Sequence, residues 1–356
     1  MRVLNRSLDL CLRIGELLLS SGAGAADVAA TMRAVSQALD IRHAQVDVTF
    51  TSLAMSVQVE ADQAPAVQLR QVTQREIDYE DLTRVDQLVR RLVSSEVDLE
   101  AARTELAQIV SSGHARPRWA ATLGWGVMCG GVALQLGASW VVVLVAMLAA
   151  TCIDRLQLVM TRRRLPFFYQ QIAGGVIATF LAALATRIAE PWMERNASLI
   201  VTANIVMLLA GIGFMGAIQD ALSGFYVTGS ARILEAVLAT AGIIAGVSGG
   251  LSVVGVIGLD IPSLTLPNFD LVGVSAAAVG GGLAAAAFAF SSYAPWRILL
   301  PTAALAGSAV AVTVAIEEAG FGRPQAVGIA AFVIGLFAYT VGRRFRVPPL
   351  VVAVCW

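Results

Sequence analysis

The sequence predicts an α-helical membrane protein of eight complete spans plus a partial ninth, preceded by a small N-terminal α/β domain. Three observations carry that prediction. Of the 356 residues, 57% are hydrophobic and only 14% charged, against about 25% charged in an ordinary soluble domain. The charges are also unevenly spread. Residues 1–118 hold 13 Arg and 16 Asp or Glu, whereas residues 119–356 hold 12 and 9 in twice the length. Finally, from Trp119 onward apolar runs recur, most of them near the ~20 residues needed to cross about 30 Å of hydrocarbon.

The N-terminal domain, 1–117, reads as helices and strands in turn. A helix is expected over about 4–20, where Leu4, Leu8, Cys11, Gly15 and Leu18 repeat at helical spacing. Asp9, Arg13 and Glu16 interrupt its apolar run, so it is a helix of a folded domain and not a cleaved leader. A second helix, about 25–39, puts Val28, Met32, Val35 and Leu39 on one face. Val46, Val48 and Phe50 alternate with polar residues, as do Leu53, Met55, Val57 and Val59. That period predicts two strands, each buried on one face, and Val67 with Leu69 suggests a third. Two charged helices follow, about 79–94 and 98–112. The "GHARPRW" stretch around Pro117 marks the boundary.

The spans are expected near 119–137, 139–154, 167–187, 199–220, 232–258, 271–291, 297–316 and 324–342. The run starting at Pro349 is too short to span before Trp356. With the N-terminal domain cytoplasmic, the inner loops contain Arg155, Arg162, Arg163, Arg164, Arg232, Arg297, Arg343, Arg344 and Arg346. The outer loops contain Arg187, Arg195 and Arg323. Nine against three fits the excess of basic residues on the cytoplasmic side, and the opposite orientation reverses it. Arg162 to Arg164 serve as orientation determinants and lipid headgroup contacts.

Several chemistries find no support. The four cysteines are scattered, and the only histidines are His43 and His114, so no zinc or disulfide framework is expected. No Ser/His/Asp or Cys/His set can be assembled inside the membrane, so the chain is not expected to be an enzyme. Gly211-Ile212-Gly213-Phe214-Met215-Gly216 matches GxGxxG, but a dinucleotide site needs a strand before it and a helix after it. Inside an apolar span, Gly211, Gly213 and Gly216 instead suit a helix break or close approach of another helix or a substrate.

The stretch "GFMGAIQDALSGFYVTGSARILE" then asks why charges sit among apolar residues. Asp220 lies at the inner end of the fourth span, and Arg232 and Glu235 open the fifth at i and i+3. Two readings stand: solvated loop residues with a local salt bridge, or a polar site opening to the cytoplasm. On the second, Arg232 holds a substrate carboxylate and Asp220 or Glu235 meets an ammonium group or exchanges a proton. Asn204, mid-span, needs a hydrogen-bond partner on another helix or a substrate. Gln170 and Gln171 begin the third span, and Asp154 is expected to cap the inner end of the second.

"GELLLSSGAGAADVAATMRAVSQAL", "VDVTFTSLAMSV" and "DALSGFYVTGSARILEA" resemble the threonine/serine exporter family. The resemblance covers nearly the whole chain in order: soluble domain, five spans, the "IPSLTLPNFD" linker, further spans. It implies a fold of two inverted five-span repeats, here a first repeat at 118–260 and a second at 261–356. It also implies proton-driven export of threonine and serine, while split relatives are associated with a small dicarboxylate. A membrane sensor or scaffold is the rival class. Family members carry a Pro-Gly-type break in spans four and nine. Ala210 stands where that proline often sits, and the chain ends "VVAVCW", which reads as truncation within the second repeat. No cofactor is expected. The expected partners are a small amino acid, protons and membrane lipids, with a homo-oligomer left open and no nucleic acid.

Overall fold

The computed structural model describes residues 2–41, 43–58, 64–72, 77–188, 197–209, 211–258 and 271–345. The chain divides into two compact units, one formed by 1–115 with 211–235 and the other by 116–210 with 236–356.

In the first unit, helices α1 (Arg2–Ser20) and α2 (Ala25–Ala38) precede strands β1 (Gln45–Val48), β2 (Ser52–Val57) and β3 (Ala66–Gln71). Helices α3 (Tyr79–Val93) and α4 (Leu99–Ser112) follow. The sheet is antiparallel in the order β1-β2-β3, with Val46 opposite Met55 and Ala54 opposite Leu69. Leu53, Met55 and Val57 point into the core, where Leu8, Ile14, Met32, Val35 and Leu88 are also buried. The third strand behaves differently. Val67 and Leu69 are exposed, while the half-buried face carries Arg70, which pairs with Glu16 at 2.5 Å and Asp9 at 3.3 Å on α1. Asp78 caps α3 by accepting from the Glu80 and Asp81 amides, and Asp98 caps α4 through Ala101 N–H. The rest of this unit is α9 (Gly211–Leu222) and the first turns of α10 (Tyr226–Val256).

In the second unit, α5 (Arg118–Gln135) packs on α6 (Trp140–Arg162) and α11 (Leu271–Ser291), and α6 on α7 (Phe167–Ile188). Helix α8 (Ser198–Leu208) contacts α5, α6 and α7, while α12 (Trp296–Glu318) lies between α11 and α13 (Arg323–Phe345). Small residues let these helices touch backbone to backbone. A Cβ on Gly131 would lie 2.7 Å from the Ala284 amide of α11, and one on Gly175 would lie 2.9 Å from the Val247 amide of α10. Arg116 closes the end of α11: its guanidinium donates to the Phe290 carbonyl at 2.5 Å and to the Ala294 carbonyl. It also rests against the Phe290 and Trp296 rings. A cation there suits the negative end of a helix.

Six helical stretches among the described residues are long and apolar enough to cross a membrane: 140–162, 167–188, 198–222 (α8 and α9 together), 226–256, 273–291 and 296–318. The first and eighth expected spans are not among them. Helix α5 runs from Arg118 to Gln135 and contains four glycines, which lower its hydropathy. The apolar part of α13, Arg323–Ala338, is shorter. The expected second span is longer than its apolar run, because α6 continues through Arg162. The partial ninth span, the 261–270 linker, Arg195 and Arg346 lie outside the described residues.

Helix α8 ends at Leu208, Leu209 adopts an extended conformation (φ −67°, ψ 128°), and α9 starts at Gly211.

Candidate functional site

The charged stretch folds as two helices joined by a tight reversal. Phe225 N–H donates to the Asp220 carbonyl and Gly224 N–H to the Ala221 carbonyl, with Gly224 at φ 90°. This paired closure of a helix end needs a left-handed residue, which glycine adopts without strain. The reversal returns α10 along α9. Gly229 sits so close to α9 that a Cβ there would lie 2.8 Å from the Ala217 carbonyl oxygen. Gly216 leaves room for Arg232, whose Nη1 lies 2.9 Å from where a Gly216 Cβ would be.

Asp220 therefore sits in the last turn of α9, near a helix C-terminus, where a carboxylate is electrostatically disfavoured. It is also fully buried. Two partners compensate. Arg232 Nη1 lies 3.0 Å from Asp220 Oδ2, and Ala25 N–H donates to Asp220 Oδ1 at 2.7 Å. Ala25 is the first residue of α2, and its N-cap is Gly24, which has no side chain to cap with. A carboxylate 195 residues away in sequence thus fills the place usually taken by a local Ser, Asp or Asn. Arg232, itself buried, donates through Nη2 to the Ala23 carbonyl at 3.1 Å. Thr228 adds a hydrogen bond to the Val48 carbonyl.

The structure thus brings Asp220, Arg232 and Gly216 together. Glu235 is exposed although only three residues from Arg232, and Gly213 is exposed on α9. Gly211 opens α9 after the break. Asn204 belongs to the other unit. It is fully buried on α8, and its Nδ2 donates to the Ile200 carbonyl at 2.8 Å. Its Oδ1 is buried without a hydrogen-bond partner among the described groups.

Two groups were not legible as they stand. Asp27, in the first turn of α2, comes close to Asp220: burial first and the Asp220 charge second raise its pKa above 3.8. Asp154 does not cap the end of its helix. It lies within α6, buried, accepting from Arg118 Nη2 at 2.8 Å and Thr122 Oγ1 at 2.7 Å on α5. The helix continues past it because Leu156, Leu158, Val159 and Met160 maintain the pattern. Arg118 keeps a 40% exposed side chain but Asp154 only 6%. Arg118→Met is therefore expected to destabilise more than Asp154→Asn, by about 1–2 kcal/mol, since only the first strands a charge in the interior. Thermal unfolding of the two variants in detergent checks the order.

Near α3, Asp78, Asp81 and His114 offer three ligand atoms within 4.8 Å of one another. Asp78 already uses Oδ1 on the α3 amides and Oδ2 on His114 Nε2, a helix cap joined to a side-chain hydrogen bond. Burial pushes the Cys11 thiol up to about 12, so it is not a nucleophile near neutral pH.

The six helical stretches of membrane-crossing length and apolarity are those of a mostly α-helical membrane protein. Residues 9–254 match the family model described as "Putative threonine/serine exporter". The chain belongs to the threonine/serine exporter family. It is 35% identical to the "Probable threonine/serine exporter" of Mycobacterium tuberculosis, over 97% of this chain and 66% of that protein. It is 33% identical to the "Threonine/serine exporter" of Corynebacterium glutamicum, over 98% of this chain and 71% of that protein. The chain therefore spans about two thirds of the length of these relatives. No solved structure matches it.

Proposed function

We propose that this chain is a secondary exporter of threonine and serine in a bacterial plasma membrane, driven by the proton gradient, with its N-terminus cytoplasmic. The observation that carries the reading is the buried Asp220–Arg232 pair, in a chain whose relatives are named as exporters of these amino acids. The nine-to-three distribution of arginines supports the orientation. The break at Leu209, at the start of the stretch carrying Asp220, supports the broken-helix site of a transporter built from inverted repeats with eight or more spans.

The pair suits a zwitterion. A threonine molecule inserting between the two side chains gives its carboxylate to Arg232, through a charge-assisted hydrogen bond, and its ammonium group to Asp220. The ammonium and a proton compete for the same carboxylate. Protonation of Asp220 from the outside expels the amino acid. Loss of that proton to the inside readies the site for the next one. Each cycle exchanges one proton inward for one amino acid outward.

Efflux of labelled threonine from loaded vesicles tests the reading. An inward proton gradient is expected to accelerate efflux well above that of protein-free vesicles. Equal rates with and without protein would overturn it. Preference for a dicarboxylate over threonine would overturn the substrate assignment.

A further inference from the structure

The buried carboxylate has a neighbour that the transport cycle above does not use. Asp27 occupies the third position of α2, one turn beyond Gly24. The missing Gly24 side chain leaves only a narrow gap between the two acids: a Cβ built there would lie 3.3 Å from Asp220 Oδ1, 3.7 Å from Asp27 Oδ2 and 3.9 Å from Gln219 Nε2, touching all three. The two carboxylates differ in their access to water. Asp220 is fully buried, whereas Asp27 is exposed. Of the charged groups around Asp27, Asp220 on α9 is the one that acts on its titration. Arg232, on α10, holds the other oxygen of Asp220. Asp27 therefore sits beside an acid whose guanidinium partner is already engaged.

We propose that Asp27 is the relay through which protons pass between bulk water and Asp220, across the space that Gly24 leaves open. This deepens the exporter reading and rests on it. The proton leaves the Asp220 carboxyl, is taken by the Asp27 carboxylate, and goes on to water. No other bond changes. The raised pKa of Asp27 fits the role, because an acid that holds its proton closer to neutral pH exchanges it more readily there than an ordinary aspartate. Asp27 is a positioning and relay residue, since the amino acid itself sits between Asp220 and Arg232.

Two transport modes separate this role from a merely structural one. Gradient-driven efflux needs the proton step, whereas exchange of labelled for unlabelled threonine at equal pH does not. Asp27→Asn is expected to slow driven efflux by about 100-fold or more and to leave exchange at the native rate. A small permeant acid such as formate is expected to restore part of the driven rate. Gly24→Ala, which places a methyl group in the gap, should show the same split more weakly. Equal loss of both modes in Asp27→Asn would assign Asp27 to the stability of α2, and retention of both would remove it from the pathway; either overturns the proposal. An independent arm covers failure of the exporter reading itself. The Asp27 carboxyl, followed by infrared titration, is expected to titrate at lower pH in Asp220→Asn than in the native protein. An unchanged titration overturns the coupling whether or not the protein moves threonine.

Discussion

Asp220→Asn is expected to abolish threonine efflux and exchange while leaving the protein inserted in the membrane. The amide keeps the shape of the carboxylate, and its oxygen can still accept from Ala25 N–H, now 2.7 Å from Asp220 Oδ1. It can neither hold a proton nor balance Arg232. The guanidinium is buried and, among the described residues, keeps the Ala23 carbonyl and the neutral amide as partners. Breaking a buried ion pair from one side costs about 3–5 kcal/mol, most of it from the stranded charge. Asp220→Ala should lie at the upper end, because it also removes the cap of α2. Replacing both partners, Asp220→Leu with Arg232→Met, is expected to recover most of the stability and none of the transport. Thermal unfolding of the single and double variants measures the coupling between the two positions. Native efflux from Asp220→Asn would remove Asp220 from the mechanism altogether.

The second large effect is expected at Gly246. A Cβ at this position would collide with the Ile172 carbonyl oxygen of α7, and one on Gly175 would lie 2.9 Å from the Val247 amide of α10. Neither obstacle is a flexible side chain, so neither can swing away. Gly246→Val forces the two helices apart along the whole contact, where Ile153, Ala178, Leu208 and Ile243 form a buried cluster. Overpacking of this kind costs about 1–3 kcal/mol at sites that can relax and more where backbone meets backbone. The variant is expected to accumulate poorly and to aggregate on detergent extraction. Gly249→Ala, three residues on, is the control. A Cβ there meets nothing within 4 Å, and alanine favours the helix by about 1 kcal/mol. Size-exclusion profiles of the two variants compare the outcomes directly.

What the sequence made legible follows from the range of each interaction. Periodicity is local, so α1, α2, α3 and α4 were readable from the spacing of residues such as Leu8, Val28, Leu88 and Leu106. Asp220 and Arg232 stood out because charges are rare in apolar stretches. Their partners did not stand out: Ala23 and Ala25 contribute only a backbone carbonyl and a backbone amide, which every residue carries. The faint clue was Gly24, a helix start without a capping side chain. Glu235 illustrates the opposite error. It shares a helix with Arg232 and sits at i+3, yet Arg232 faces inward and Glu235 outward, because the boundary of the buried face falls between them. The role of Asp154 was hidden for a related reason: an acid at the edge of an apolar run looks like the end of a helix unless its partner, here Arg118 on α5, is known.

The first unit is discontinuous, and this has a consequence for synthesis. Residues 1–115 leave the ribosome long before 211–235. At roughly 5–20 residues per second, the start of α2 spends on the order of ten seconds without the carboxylate that caps it. During that interval several apolar segments must be threaded into the bilayer. The nascent N-terminal portion must wait, incompletely tied, for a piece delivered by the insertion machinery. A ribosome stalled before residue 220 would leave it with that binding edge open to chaperones and proteases.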